Sequence, residues 1–130
     1  MFNHFRKDQR GQAMVELALI LPILLLLIMG IIEIGRMYNA YLVIDHATRE
    51  GARAGSLGAT DSEIEYKIKT LSAPLNNSTG IQVSVNPISR VRGQDISVKA
   101  VYHFIFYAPM IGNIFGNPLN ITSSIISRME

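Results

Sequence analysis

Ten carboxylates, three histidines and no cysteine are the material from which a reactive site would have to be built. His4, His46 and His103 fall far apart in different predicted elements and form no metal-ligand spacing. Asp45 and His46 are adjacent, but neighbouring residues of a helix point apart, so they make no acid–base pair. No glycine-rich phosphate loop, nucleophile elbow or metal-binding helix motif occurs. The lack of cysteine removes disulfides, thiolate metal sites and a thiol nucleophile. These residues point away from catalysis: no metal, no cofactor and no small-molecule substrate is expected.

The informative carboxylate is Glu16. It is followed at once by Leu17 to Ile32, LALILPILLLLIMGII, with no charge. A carboxylate at the centre of a bilayer costs about 2.5–3.5 kcal/mol on insertion scales, and intramembrane carboxylates are generally functional. At the head of the apolar run, Glu16 can instead mark the membrane edge, its oxygens near the headgroups. Ahead of it stands Arg10-Gly11-Gln12-Ala13-Met14-Val15, so a basic leader ends in Gly11 and a Glu follows shortly after.

The element that must position Glu16 is a membrane helix. A bilayer core about 30 Å thick needs roughly 20 helical residues, which Gln12 to Ile32 supplies. Arg6, Lys7 and Arg10 precede the span and Arg36 alone follows it closely, so the N-terminus stays in the cytoplasm and the rest lies outside. The net charge of +2 is confined to this leader, which accounts for it without nucleic acid as a partner. A cleaved secretory signal would have a similar layout. The apolar region is long for one, however, and Met29-Gly30-Ile31 and Asn39-Ala40-Tyr41 make poor cleavage sites.

Beyond Gly35 the pattern turns amphipathic without a break, and no proline occurs between Pro22 and Pro74. One helix from about Gln12 to about Ala54, roughly 65 Å long, is expected. Asp45 with Arg49 and Glu50 with Arg53 are its candidate ion pairs. Ala47, Gly51 and Gly55 form a small-residue face suited to close packing against the outer domain, and Gly55, Ser56 and Gly58 end the helix. Pro22 frees the carbonyl of Ala18 and is a candidate kink.

A second helix, capped by Asp61 or Ser62 and running to about Leu71, would turn Ile64, Ile68 and Leu71 inward. Asn76 to Gly80 reads as a loop. Ile81, Val83 and Val85 alternate as a strand, Arg92-Gly93-Gln94 turns the chain, and longer strands follow at Ile96–Tyr107 and Ile121–Met129. The fold class is therefore α+β: a long N-terminal transmembrane helix continuing into a small domain with a short helix and a three-stranded antiparallel sheet. The organisation is a leader at 1–11, a transmembrane helix at 12–35 and an extracytoplasmic domain at 36–130. Between the last two strands, Ala108 to Pro118 reads as an irregular loop, because Gly112, Gly116 and Pro118 disfavour a regular element. Its Met110, Ile111, Ile114 and Phe115 would cover the sheet if folded back, which is the simpler expectation. Exposed, they would form a contact patch for a partner or for the membrane surface.

The Gly11 to Glu16 arrangement resembles the prepilin-peptidase site of type IV pilins and pseudopilins. More specifically, Gly11-Gln12-Ala13-Met14-Val15-Glu16-Leu17-Ala18-Leu19 with Leu21-Pro22 looks like the TadE family of tight-adherence (Tad) pilus systems. Gly30-Ile31-Ile32-Glu33-Ile34-Gly35-Arg36 and Ala47-Thr48-Arg49-Glu50-Gly51-Ala52-Arg53-Ala54 look alike in the same way. The likeness covers roughly residues 10 to 57.

That resemblance implies cleavage between Gly11 and Gln12 by a prepilin peptidase, leaving Glu16 as the fifth residue of the mature chain. Glu16 would then lie about 6 Å along the axis from a new α-amine on Gln12, near a helix end that favours a carboxylate. By resemblance it would pair with a neighbouring subunit's amine and set helix register. The expected function is a minor pilin or pseudopilin in the bacterial inner membrane. Its implied partners are other pilin-like subunits, Tad assembly proteins and membrane lipid. Leu17 stands where processed pilins often carry an aromatic residue. The alternative is an unprocessed single-span envelope protein whose outer domain binds a partner.

Overall fold

The computed structural model describes residues 9–75, 80–86, 91–108 and 110–130. His4, Arg6 and Lys7 of the leader, Asn76–Thr79 of the expected loop, and Pro109 lie outside the described residues.

Helix α1, Gln9–Ser56, is continuous through Pro22, and its 48 residues give a rod about 72 Å long. Its two halves differ in what surrounds them. From Gly11 to Met29 every residue is exposed, including the leucines. From Ala40 onward one face enters the core through Ala40, Ile44, Ala47 and Ala52. The small-residue face works as expected: a Cβ on Gly51 would lie 2.7 Å from two side-chain atoms of Ile68, and one on Gly55 2.7 Å from Ile96. Only glycine lets α1 come that close to its neighbours. The helix stops at Ser56, and Gly58 takes φ +91°, a left-handed conformation open to glycine at little cost.

Helix α2, Asp61–Leu71, follows after a short turn. Its N-cap is Thr60, not Asp61 or Ser62. The Thr60 hydroxyl accepts from the Glu63 N–H, and the Glu63 carboxylate accepts from the Thr60 N–H at 2.7 Å. The capping-box spacing Thr60-x-x-Glu63 explains the one-residue correction. Ile64 and Ile68 are fully buried, and Leu71 is half-buried.

Strands β1 (Gln82–Asn86), β2 (Asp95–Phe104) and β3 (Leu119–Arg128) form an antiparallel sheet in the order β1-β2-β3. Register sets Val83 opposite Ala100 and Tyr102 opposite Ile121. Along β2 alternate residues Ile96, Val98, Ala100, Tyr102 and Phe104 are buried, the period-two signature of a sheet with one covered face. The covering layer is α1 with α2. Gly93, at φ +85°, makes the turn before β2, where its N–H donates to the Met129 carbonyl.

Three further expectations need correction. Strand β2 stops at Phe104, short of Tyr107, because the main-chain N–H groups beyond it are taken by side chains (below) and leave the ladder. The segment 108–118 is not wholly irregular: Ile111–Phe115 form a five-residue helix, α3, closed by Gly116 at φ 84°. Glu50 does not pair with Arg53; its carboxylate lies 3.4 Å from Lys67 Nζ on α2, so the charge bridges the helices instead.

Candidate functional site

At the head of α1, Gly11, Gln12 and Glu16 are all exposed. Glu16 lies seven residues beyond Gln9 and is helical, within α1. Gly11 and Gln12 are themselves helical, with Gln9 and Arg10 ahead of them in α1. Glu16 is therefore the charge on a helix stretch that is otherwise apolar around its whole circumference.

At the other end of the apolar stretch the structure builds a second site, around Glu33. Glu33 is 4% exposed although it lies on a helix whose neighbours Ile32 and Ile34 are exposed. Its Oε1 accepts from the main-chain N–H of Tyr107 at 3.1 Å and of Ala108 at 3.2 Å. The Arg36 guanidinium, one turn on, donates to both carboxylate oxygens at 3.0 and 2.8 Å. That guanidinium also lies 4.3 Å from the Tyr107 ring centroid and 5.2 Å from that of Phe104, within cation–π range. The buried charge is thus balanced and fully hydrogen-bonded, which burial of a carboxylate demands. The sequence signal was present: a carboxylate closing a long apolar run, with an arginine three residues later on the same helix face.

The segment between β2 and β3 is gathered by this carboxylate. Asn117 acts in parallel: its Oδ1 accepts from the Phe106 N–H at 3.4 Å, and its Nδ2 donates to the Phe106 carbonyl at 3.3 Å. Phe106 is buried, with its ring edge-on to Phe104 at 5.1 Å. Of the loop residues singled out, Ile111 is half-buried and packs on the core. Met110, Ile114 and Phe115 are exposed at 62%, 74% and 64%, although the Phe115 ring lies 6.2 Å from that of the buried Phe106, so the segment folds back through Ile111 and in part through Phe115.

Farther along α1, Asp45 ties the helix to β3. Arg49 Nε donates to its Oδ2 at 2.8 Å, and Ser123 Oγ donates to its Oδ1 at 3.0 Å. The Arg49 hydrogen bond holds the Asp45 carboxyl below the usual carboxylate range, against a smaller opposing effect of burial, and Ser123 adds to the lowering. His46 is exposed, and His103 Nδ1 lies 2.6 Å from Asn120 Oδ1 on the neighbouring strand. Among the described residues no three of His, Asp and Glu come together as a metal site. A shallow cleft of about 110 Å³ lies between α1 and the sheet, lined by Arg36, Asn39, Tyr102 and Phe104 among others.

Residues 11–53 match the family described as TadE-like protein, the family that the sequence resembles. The match begins at the candidate scissile glycine and covers Glu16, Pro22, Glu33, Arg36 and the small-residue face as far as Arg53, all on α1. Neither the curated proteins nor the solved structures contain a match to this chain.

Proposed function

We propose, from the TadE-like match carried by α1, that this chain is a pilin-like component (a minor pilin or pseudopilin) of a Tad-type pilus assembly apparatus. The observation that carries the reading is the all-round exposure of α1 from Gly11 to Met29, with Glu16 as its charge. An apolar surface of that size is stable in lipid or against other apolar helices, and not in water. A pilin-like subunit uses both settings in turn. It is anchored in the inner membrane, N-terminus inside, and then packs with helices of its own kind.

In this reading a prepilin peptidase cuts between Gly11 and Gln12. Glu16, now near a positive helix end and an α-amine whose ordinary pKa is about 8, pairs with the N-terminus of a neighbouring subunit. Pro22 gives the apolar helix a point of flexure on the way from bilayer to fibre. The outer domain makes the contacts with Tad assembly proteins.

The decisive experiment determines the mature N-terminus by mass spectrometry of protein taken from membranes of a host with its native peptidase. A chain starting at Gln12 supports the reading. A chain retaining Arg6, Lys7 and Arg10 overturns processing. Glu16→Ala then tests pairing: membrane insertion stays intact while pilus assembly or recovery of partner subunits falls. Normal assembly by this variant would sink the pairing role.

A second reading has one observation in its favour. Helix α1 runs unbroken through Gly11–Gln12, so a peptidase must first unwind the helix there. An unprocessed envelope anchor whose outer domain binds a partner needs no such step.

A further inference from the structure

We propose that α3 and the residue ahead of it are seated in the headgroup region of the bilayer leaflet on the domain's side, with Met110, Ile114 and Phe115 as the inserted side chains. The proposal rests on the reading that α1 spans the membrane, and names a lipid surface as what this segment meets.

The argument starts from level. Along α1 from Gly11 to Ile32, Gly30 is the residue that is not exposed, and what covers it is Ile111: a Cβ on Gly30 would lie 3.8 Å from Ile111 Cδ1. Gly30 belongs to the uncharged run that ends at Ile32. It lies about 4.5 Å below Glu33 along the helix axis. Helix α3 therefore reaches down beside the membrane-spanning stretch rather than standing above it. Glu33 and Arg36 hold the segment there by its main chain at Tyr107 and Ala108.

The second argument is chemistry. Met110 and Ile114 are exposed, and Phe115, with one side of its ring 6.2 Å from that of Phe106, is exposed on the other; the contact of Ile111 with Gly30 sets them beside the end of the apolar run. Tyr107, 63% exposed beside them, has the amphipathic ring favoured at that boundary. No Lys, Arg, Asp or Glu occurs between Ala100 and Ser127, and the nearest charges on α1, Glu33 and Arg36, neutralise each other. A segment of this kind enters a zwitterionic surface by burying apolar area and does not depend on anionic lipid or low salt.

The test uses the full chain in phosphatidylcholine vesicles and exploits its lack of cysteine. Single thiols are introduced by Ile114→Cys and, separately, Phe115→Cys, and labelled with an environment-sensitive fluorophore. Leu24→Cys in the span and Leu57→Cys at the distal end of α1 serve as controls. Quenching is read with phosphatidylcholines brominated at different depths. The expected result is loss of emission at 114 and 115 with shallow bromines, loss at 24 with deep ones, and none at 57. The quenching at 114 and 115 should persist at high salt.

Labels at 114 and 115 that behave like the one at 57, while 24 is quenched, overturn the docking and leave the span standing. Blue-shifted labels at 114 and 115 that no lipid quenches mean that protein, such as a second copy, covers the segment; this also overturns the proposal. An unquenched label at 24 overturns the spanning reading and the proposal with it.

Discussion

The main-chain N–H of Ala108 donates to Glu33 Oε1 at 3.2 Å, across 75 positions of sequence. The same oxygen takes the Tyr107 N–H, and Arg36 neutralises the carboxylate from the next turn. The end of β2 is thereby fastened to α1 at the point where its apolar stretch gives way to the domain. A short side chain from the helix does what two more rungs of a sheet would otherwise do, and for that reason the strand stops where it does.

Removing that carboxylate should release the segment. Glu33→Ala leaves the buried Ala108 N–H, the part-buried Tyr107 N–H and the Arg36 guanidinium without their acceptor, at a cost of about 2 kcal/mol in local stability. Amide exchange at Tyr107 and Ala108 should quicken roughly 30-fold. Glu33→Gln, which keeps one acceptor oxygen, should show a smaller rise. Equal exchange in all three proteins would remove the clamp.

Glycines on α1 should differ in sign. Gly51→Ala gains up to about 1 kcal/mol of helix propensity. It also drives a methyl to within 2.7 Å of the fully buried Ile68, and overpacking of this kind costs about 1–3 kcal/mol. The variant should melt lower. Gly35→Ala, with nothing within 4 Å of its added Cβ, should be neutral or melt higher. Thermal denaturation in detergent checks both.

The cap of α2 should be separable from its packing. Thr60→Ala removes the hydroxyl that accepts from the Glu63 N–H, while Ile64 and Ile68 remain in place. A loss of about 1 kcal/mol is expected. Thr60→Ser should recover most of it in urea unfolding.

Acid should loosen the tie between α1 and β3. The Asp45 carboxyl is lowered in the folded chain, first by Arg49 and then by Ser123. Its unfolded value is about 3.9, so its stabilising contribution is complete above that value and is lost as pH falls through the lowered folded value. A carboxyl-resolved NMR titration should show the Asp45 midpoint rising in Arg49→Gln, and rising less in Ser123→Ala. An unchanged midpoint in Arg49→Gln would contradict the assignment.

Much of this architecture is legible from residue order. The uncharged run and the absence of proline between Pro22 and Pro74 announce one long helix. The four-residue spacing of Ala47, Gly51 and Gly55 announces the face that the domain closes on. Local pattern fails where a distant group competes. Ile105, Phe106 and Tyr107 have strand character, but Glu33 and Asn117 claim N–H groups there. Glu50 has Arg53 within reach on its own helix and finds Lys67 on another. Thr60-x-x-Glu63 carries the cap signal, but Asp61 and Ser62 beside it are equally good caps by residue type. Residue order shows Glu33 to be the charge that follows the apolar run, but not which distant N–H groups will surround it.

Ala40, Ile44, Ala47 and Ala52 belong to the core of the outer domain, and they belong equally to the rod that begins at Gln9. The domain therefore has no slack tether. A pull applied at the base of α1 arrives undiminished at the sheet, and a twist of the rod turns the whole head with it.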